Sequence, residues 1–264
     1  MKVWFFSHIG NSRGNQEDNA LVGTFYYDLN AIRALSPEHP INYRGIECNE
    51  TSDTLLAVSD GMGGHSSGEV ASYLTLKYLS EHNDSAIQCD KEELIQLLAD
   101  LNREISNVAQ GDSENRGMGA TLCGVICRAQ QMLGFNVGDS RLYRFENGEL
   151  TQLTTDHSAG QRLLDLKLLT EDELKSVPNR KAIYKYIGME TELVADVFDI
   201  APCESGTILL LCTDGLSDVL TDDEMRQILA GEGSLKEKGE TMLNTALDRH
   251  LGFGDNITII LTEF

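Results

Sequence analysis

The 264-residue chain is poor in positive charge and has no long apolar run, and each shortage excludes a class of protein. It carries 21 Lys and Arg against 42 Asp and Glu, which gives a formal net charge of −21. Nucleic acids and anionic lipid surfaces are bound through Lys and Arg, so this balance argues against both as partners. No stretch approaches the roughly 18 consecutive apolar residues of a membrane-spanning helix, so we expect no membrane segment.

Cysteine is also scarce, and its arrangement is not that of a metal or redox motif. The six cysteines are scattered and include no Cys-x-x-Cys pair. Cys123, Cys127 and Cys212 lie in apolar runs, where a free thiol behaves as a small hydrophobic side chain. The N-terminal segment Met1–His8 holds only four consecutive apolar residues, fewer than the about 7–15 of a secretory signal. We therefore expect a cytoplasmic protein.

The remaining composition is that of an ordinary globular protein, with 41% hydrophobic and 24% charged residues. No internal repeat or low-complexity linker divides the chain, so we expect a single domain over residues 1–264. Two segments interrupt its pattern. Residues 27–53 are polar and hold two of the four prolines, which predicts a surface insertion. Residues 159–197 are charge-rich and predict a long flap-like segment, of the kind that is usually functional.

Helices are predicted from apolar spacing and from capping residues. Leucine, isoleucine and valine recur at spacings of three and four over residues 94–108, which predicts a long amphipathic helix. Asp90 with Glu93 forms a capping-box pattern at its start, and Thr221 with Glu224 repeats that pattern before a later helix. Two further helices are predicted over Val70–Leu79 and Leu235–Leu247.

Strands are predicted where short apolar runs are bounded by turn residues. Asn147-Gly148 follows one such run and predicts a tight hairpin turn, because both residues tolerate positive φ. Strands in hairpin pairs, with helices grouped between them, predict an α+β fold of antiparallel sheets covered by helices. The predicted strands are Leu55–Val58, Thr121–Ile126, Met132–Val137, Leu142–Phe145, Thr207–Cys212 and Ile257–Leu261.

Four short acidic motifs each place an aspartate beside glycine, three of them after an apolar run. Divalent cations prefer carboxylate, carbonyl and water oxygens, and glycine lets the backbone approach an ion closely. Each Asp-Gly alone is commonly an ordinary turn, so a solvated acidic surface is the alternative to a metal site. The four motifs are Ser59–Gly64, Val137–Ser140, Thr213–Gly215 and Gly254–Asn256.

The segment Arg13–Asn19 places an arginine near two more carboxylates, Glu17 and Asp18. A guanidinium is suited to bidentate binding of phosphate, although an isolated arginine with this spacing more often forms a surface ion pair. Together with the aspartate motifs, this segment suggests a site that holds metal ions and a phosphate.

Seven segments taken together resemble the protein phosphatase 2C-like (PPM) family of metal-dependent Ser/Thr phosphatases, in its bacterial stand-alone form. They span almost the whole chain in the family's order and spacing. The matching segments are Arg13–Asn19, Ala57–Ser72, Gly117–Leu122, Asn136–Tyr143, Leu153–Ser158, Leu209–Leu220 and Asp255–Thr258.

The resemblance implies a four-layer α/β/β/α sandwich, with two antiparallel sheets flanked by helix pairs. It also implies a centre of two Mn²⁺ or Mg²⁺ ions in a cleft at one sheet edge. By the motif match, Asp60 bridges both ions. Asp214 and Asp255 hold one ion, while Glu17 and the Gly61 carbonyl face the other.

The other matched positions have supporting roles in the family. Asp18 would orient the attacking water, and Arg13 would bind the substrate phosphate. Asp139 and Asp218 match a third, weaker metal site that they share with Asp214. In such a centre two cations share a water whose pKa is low enough for it to attack phosphorus, so no phospho-enzyme is expected.

One position departs from many eukaryotic members, which have histidine directly after the Asp-Gly of the second motif. Met62 stands there in this chain and cannot donate a proton to the leaving alkoxide. His65 lies three residues further on, where a hydrogen-bonding role at the helix entry is at least as reasonable as catalysis. We expect water, or a group not identified from the sequence, to protonate the leaving group.

The resemblance implies phosphorylated proteins as partners, namely substrates of a Ser/Thr kinase in bacterial signalling. Three alternatives stay open at this stage. One is a narrow-specificity regulatory phosphatase of a single phosphoprotein, and another is a catalytically weak relative that serves as a binding module. The third is a Ca²⁺-binding structural protein in which the acidic motifs are only turns.

Overall fold

The computed structural model describes residues 1–47, 53–62, 67–128, 131–249 and 254–264. Within them, two antiparallel sheets lie face to face. The first has the strand order β10-β9-β12-β13-β1-β4, and the second has the order β11-β8-β7-β5-β2-β3, with β6 pairing the end of β5. The strands of the first sheet are β1 (Lys2–His8), β4 (Ile41–Glu47), β9 (Arg141–Glu146), β10 (Glu149–Gln152), β12 (Ile208–Cys212) and β13 (Ile257–Glu263).

The second sheet carries one group of helices on its outer face, and the first sheet carries another. The strands of the second sheet are β2 (Asp18–Val22), β3 (Phe25–Tyr26), β5 (Thr54–Met62), β6 (Gly119–Ala120), β7 (Leu122–Cys127), β8 (Met132–Val137) and β11 (Asp196–Ile200). The helices are α1 (Leu29–Arg33), α2 (Gly68–Glu81), α3 (Asn83–Ala86), α4 (Lys91–Gly111), α5 (Ala159–Asp165), α6 (Glu171–Leu174), α7 (Asp214–Ser217), α8 (Asp222–Ala230) and α9 (Leu235–Arg249).

Three hydrophobic cores separate these layers. Successive strand residues point to opposite faces, so Phe5 of β1 packs between the sheets while Phe6 packs under α9. In β12, Leu209 and Leu211 enter the central core, and Leu210 enters the core beneath the helices. Such strands are buried on both faces, which explains their continuous apolar runs. The predicted α+β sandwich of antiparallel sheets and outer helices is confirmed.

Local predictions from the sequence are confirmed at their strongest signals. Asp90 and Glu93 form a capping box at the start of α4, and Thr221 with Glu224 does the same for α8. The turn between β9 and β10 has φ of 53° at Asn147 and 83° at Gly148. All six predicted strands are present, each with its ends shifted by no more than a few residues.

The polar segment 27–53 is more ordered than a surface excursion. It begins with Tyr27, which is buried, continues through α1 with buried Ile32, and returns as β4 along the edge of the first sheet. This strand was not predicted from the sequence, because an edge strand exposes much of its surface and lacks a continuous apolar run. Residues 48–52 lie outside the described part of the chain.

The segment 159–197 contains two short helices, α5 and α6, and then returns to the second sheet. Ile187 forms a bridge with Ala120, and β11 begins at Asp196, so the last two residues of the predicted flap belong to a strand. The expected flap therefore ends earlier than the sequence suggested, because Ala195 and Val197 are buried against the helix layer.

Two further expectations concern membrane helices and cysteines. No helix in the described ranges is long and apolar enough to cross a bilayer. Cys89, Cys123, Cys203 and Cys212 are free thiols, as the scattered cysteine pattern predicts. Cys48 lies outside the described residues.

We expect Gly239→Ala to destabilise the protein by about 1–3 kcal/mol, because overpacking a filled core forces neighbours off their preferred positions. A β-carbon at Gly239 of α9 would lie 2.2 Å from the buried Phe6 ring. Gly111 in α4 is the matched control, since a β-carbon there meets nothing within 4 Å. Urea unfolding should show a loss for Gly239→Ala and none for Gly111→Ala; equal effects would contradict this account of the α9–β1 contact.

Candidate active site

The acidic motifs meet at one end of the sandwich because of the strand pairing. Asp18 begins β2 and lies directly opposite Asp60, near the end of β5 in the second sheet. Asp214 follows β12, and Asp255 precedes β13, which is the neighbour of β12 in the first sheet. Both sheets therefore deliver carboxylates to the same end. They border a cavity of about 260 Å³ that is lined by Arg13, Glu17, Asp60, Gly61, Met62, Thr121, Ile183, Asp214 and Asp255.

The carboxylates at this end repel one another. Burial raises the pKa of Asp60 well above its ordinary value, and the charges of Asp18 and Asp214 raise it further. Burial likewise raises the pKa of Asp18 to about 7, against the opposing hydrogen bonds from Thr213 and Thr258. Such shifts mean that the ionised forms lack enough positive charge around them.

Two oxygens in this cluster lack a partner. Asp18 Oδ1 and Asp214 Oδ1 are buried with no hydrogen-bond partner within the described ranges. Buried acceptors are normally satisfied by a donor, a water or a cation. Together with the mutual repulsion, these orphaned oxygens fit divalent cations, which are bound by several carboxylate oxygens at once.

Glu17 is fixed at the cavity by its main chain. Its N–H donates to Asn256 Oδ1 at 2.7 Å, and its carbonyl accepts from Gly61 N at 3.1 Å and from Ser72 Oγ at 2.5 Å. A β-carbon on Gly68 would lie 2.6 Å from Glu17 Oε1 and 2.7 Å from the Gly61 carbonyl. Glycine at position 68 thus lets the first turn of α2 approach the carboxylate and the carbonyl predicted to face one ion.

Asp60 is fixed in the same way by Thr121. The Asp60 N–H donates to Thr121 Oγ1 at 2.9 Å, and the Thr121 N–H donates to the Asp60 carbonyl at 2.8 Å. Thr121 Oγ1 also lies 2.7 Å from Ser140 Oγ, next to Asp139. Thr121 therefore connects the central aspartate to the loop that carries Asp139.

Arg13 lies at the mouth of the cavity, paired with Asp255. Its Nη2 donates to Asp255 Oδ2 at 2.6 Å, and the two side chains keep 46% and 37% of their surface exposed. This hydrogen bond raises the pKa of Arg13, so the guanidinium is charged at all relevant pH values. A phosphate that enters the cavity would meet this exposed positive group.

A second cavity, of about 390 Å³, adjoins the first, and Asp214 borders both. Asp139 and Asp218 line the second one together with flap residues that include Arg180 and Lys181. Lys181 forms an ion pair with Asp218. Burial raises the pKa of Asp139 to about 7, and the charges of Asp156 and Asp218 add to the shift.

The structure thus brings eight of the nine site residues predicted from the sequence to the walls of two adjoining cavities, and the ninth, Asp18, lies beside them. Six of them line the first cavity, and Asp139 and Asp218 line the second with Asp214. Asp18 lines neither cavity but lies opposite Asp60 in the neighbouring strand, and its Oδ2 accepts from Thr213 Oγ1 at 2.8 Å. Their individual roles stay predictions. His65 lies outside the described residues.

Several neighbours of the site were not singled out from the sequence. Thr213, Asn256 and Thr121 act through hydrogen bonds to the acidic side chains or to their backbone. Each stands beside a predicted residue or inside a matched segment, but nothing in the sequence shows where its side chain points. Ile183, from the flap, lines the first cavity and was missed because it is one apolar residue in a charged segment.

This chain is similar to known proteins in both sequence and structure. A family model described as protein phosphatase 2C matches residues 46–252. The serine/threonine phosphatase stp of Listeria monocytogenes is 33% identical over 224 residues, which are 83% of this chain and 88% of that protein. The structure of the Streptococcus agalactiae serine/threonine phosphatase superposes with a TM-score of 0.81 at 26% identity, covering 99% of this chain and 98% of that one.

A solved structure with metal ions is also similar. It is the catalytic domain of the serine/threonine protein phosphatase PstP in complex with two manganese ions. It has a TM-score of 0.74 at 27% identity and covers 100% of this chain and 99% of that one.

We expect the metal-free protein to lose stability as pH rises from about 5 to about 8. Asp18 and Asp139 have pKa values of about 7, above those of the unfolded chain, so the folded state holds more protons across this range. Each such carboxyl contributes a slope of up to about 1.4 kcal/mol per pH unit. Urea unfolding in chelator measures it, and Asp214→Asn should flatten the slope. A flat or rising profile for wild type would contradict the proposed repulsion.

Proposed function

Because this chain belongs to the protein phosphatase 2C family and is a serine/threonine protein phosphatase, we propose that it hydrolyses phosphoserine and phosphothreonine with two divalent cations. The observation that carries the proposal is the convergence of buried, mutually repelling carboxylates beside an exposed arginine. The likeness to a manganese complex of a related catalytic domain supports Mn²⁺, and Mg²⁺ fits the same oxygen ligands.

In this proposal the Asp60 carboxylate would help to hold both ions. Asp214 and Asp255 hold one of them, and Glu17 with the Gly61 carbonyl faces the other. Asp139 and Asp218 would hold a third ion with Asp214, in the second cavity. The charge of the cluster supports this assignment, since the ionised aspartates need cations near them to remain ionised at neutral pH.

The chemistry is divided between the ions and the chain. When bound, the two ions lower the pKa of a shared water and offset the charge on the transferring phosphoryl group. Asp18 Oδ1, free of other hydrogen bonds within the described part of the chain, would accept a hydrogen bond from the attacking water and so orient it. Arg13 binds the phosphate oxygens, and its exposed pairing with Asp255 leaves guanidinium N–H groups directed to the solvent side.

The charge of the flap favours one class of binding partner. Phosphorylated proteins are the proposed substrates, as products of a Ser/Thr kinase. Arg180 and Lys181 on the wall of the second cavity give the flap local positive charge in a chain of net charge −21, which favours approach of a phosphoprotein. A cytoplasmic location stays a prediction from the sequence.

A narrow-specificity regulatory phosphatase of one phosphoprotein is the second candidate, because it would use the same cavity. The flap favours it in one respect: Ile183 lines the first cavity, so flap residues can contact the substrate. A catalytically weak binding relative is less well supported, since all the predicted ligand residues reach the site.

We expect Asp214→Asn to reduce hydrolysis of a phosphothreonine peptide by at least about 100-fold in Mn²⁺, because it removes a charge that holds a cation against the developing negative charge. The assay compares Mn²⁺, Mg²⁺ and chelator. Asp223→Asn is the matched control, since Asp223 lies on α8 and pairs only with exposed neighbours. Turnover in chelator, or full activity of Asp214→Asn, would contradict the metal-dependent reaction.

We expect His65→Ala to lower kcat by less than the about 100-fold of a lost general acid. The position of His65 rests on the sequence alone, three residues after Met62, which lines the cavity without a proton to donate. The test is kcat for a phosphopeptide and for an aryl phosphate whose leaving group needs no protonation. A large loss confined to the phosphopeptide would instead identify His65 as the acid.

A further inference from the structure

We propose that Asn256 is a positioning residue that holds the loop carrying Arg13 and Glu17 in register with Asp255. The inference rests on the proposed function, since it assigns Asn256 to the placement of a phosphate-binding and a metal-binding side chain. Asn256 immediately follows Asp255 and is 3% exposed.

The carboxamide of Asn256 makes three hydrogen bonds to one loop. Its Oδ1 accepts from the Glu17 N–H at 2.7 Å. Its Nδ2 donates to the carbonyls of Ile9 at 2.8 Å and Asn15 at 3.0 Å. The orientation of the amide is unambiguous, because one side faces an N–H and the other faces two carbonyls. Both donor hydrogens and one acceptor position are therefore used on backbone groups.

These contacts lie on both sides of Arg13 in the chain. Ile9 precedes Arg13, and Asn15 and Glu17 follow it, so one side chain secures the loop before and after the guanidinium. Arg13 itself reaches Asp255, whose other oxygen accepts from the Asn256 N–H at 2.8 Å. The Asn256 side chain thus holds the loop that carries Arg13, and the Asn256 N–H holds the carboxylate of Asp255, the partner of Arg13.

The loop has little room to shift by other means. Gly10 has φ of +80°, and a β-carbon there would lie 2.2 Å from the Asp255 carbonyl oxygen. The Gly254 N–H donates to Ser12 Oγ at 3.1 Å. This close packing fixes the position of the loop against residues 254–255, which precede β13. The Asn256 amide fixes the orientation of the Glu17 peptide N–H.

Glu17 is also held by the second sheet and its helix, through Gly61 of β5 and Ser72 of α2. Asn256 directly precedes β13 of the first sheet, so Glu17 is one of the points, with the Asp18–Thr213 pair, at which hydrogen bonds join the two sheets beside the cavity. Loss of the Asn256 amide would remove the hydrogen bond of Glu17 to the first sheet and leave its hydrogen bond to Gly61 intact. The distance between Glu17 and Asp255, which are proposed to hold different metal ions, would then no longer be fixed.

Asn256→Ala should therefore weaken binding of Mn²⁺ and of phosphate more than it slows the chemical step. We expect the dissociation constant for Mn²⁺, measured from free Mn²⁺ by electron paramagnetic resonance without turnover, to rise about 10- to 100-fold. The KM for an aryl phosphate and the inhibition constant of inorganic phosphate should rise, with a smaller fall in kcat. Hydrogen exchange in peptides covering residues 9–18 of the metal-free protein should be faster than in wild type.

Asn102→Ala is the matched control. Asn102 on α4 is also 3% exposed, accepts from Gly188 N at 2.8 Å and donates to the Met189 carbonyl at 3.1 Å. It should lower the melting temperature to a comparable degree while leaving the affinities for Mn²⁺ and phosphate unchanged. Asn256→Ser, which keeps a smaller polar group, provides the same comparison if Asn256→Ala does not fold.

Different results would contradict the role of Asn256 and the proposed function. Wild-type Mn²⁺ and phosphate affinities in a folded Asn256 variant, with only the melting temperature reduced as in Asn102→Ala, would overturn the role of Asn256. A wild-type protein that binds no Mn²⁺ and hydrolyses no phosphopeptide would instead overturn the proposed function.

Discussion

The structure depends on holding several like charges together at one end of a sandwich. Asp18, Asp60 and Asp214 all have raised pKa values, and burial is the largest cause of each shift. Such a cluster opposes folding unless protons or cations compensate it. It persists because the aspartates are placed by strand ends and by backbone hydrogen bonds, which do not relax when the charges repel. The same repulsion that costs stability would favour the binding of cations that the proposed function requires.

The free energy that offsets this cost comes from elsewhere in the fold. Three hydrophobic cores lie in parallel layers, and the central strands bury side chains on both faces. Within the central strand β12, every residue is buried. Apolar burial stabilises by about 25 cal/mol per Å², so strands buried on both sides contribute far more than those of a half-exposed sheet. Rigid strands in turn fix Asp60 and Asp214 at their ends.

The sequence predicted what local chemistry decides. The capping boxes of α4 and α8 and the Asn147-Gly148 turn depend on residues close in the chain, and the motifs depend on short spacings. The strand β4 and the short helix α1 could not be predicted, because their partners lie far away and their surfaces are largely polar. Asn256, Thr213 and Thr121 were missed for a related reason. Their importance lies in which distant backbone or carboxylate group they reach, and only the pairing of the two sheets determines that.

Two of the positively charged side chains at the site, Arg13 and Lys181, pair with Asp255 and Asp218, which are themselves proposed metal ligands. Both pairs are partly exposed, and exposed ion pairs contribute only about 0–1 kcal/mol. It therefore costs little for Asp218 or Asp255 to exchange its side-chain cation for a metal ion. It likewise costs little for Arg13 to exchange the Asp255 carboxylate for a substrate phosphate. Arg13 can leave Asp255 to bind phosphate only if its loop stays in place during the exchange. A weak, exchangeable ion pair on a firmly held loop meets that requirement, and the buried Asn256 amide supplies the firm hold.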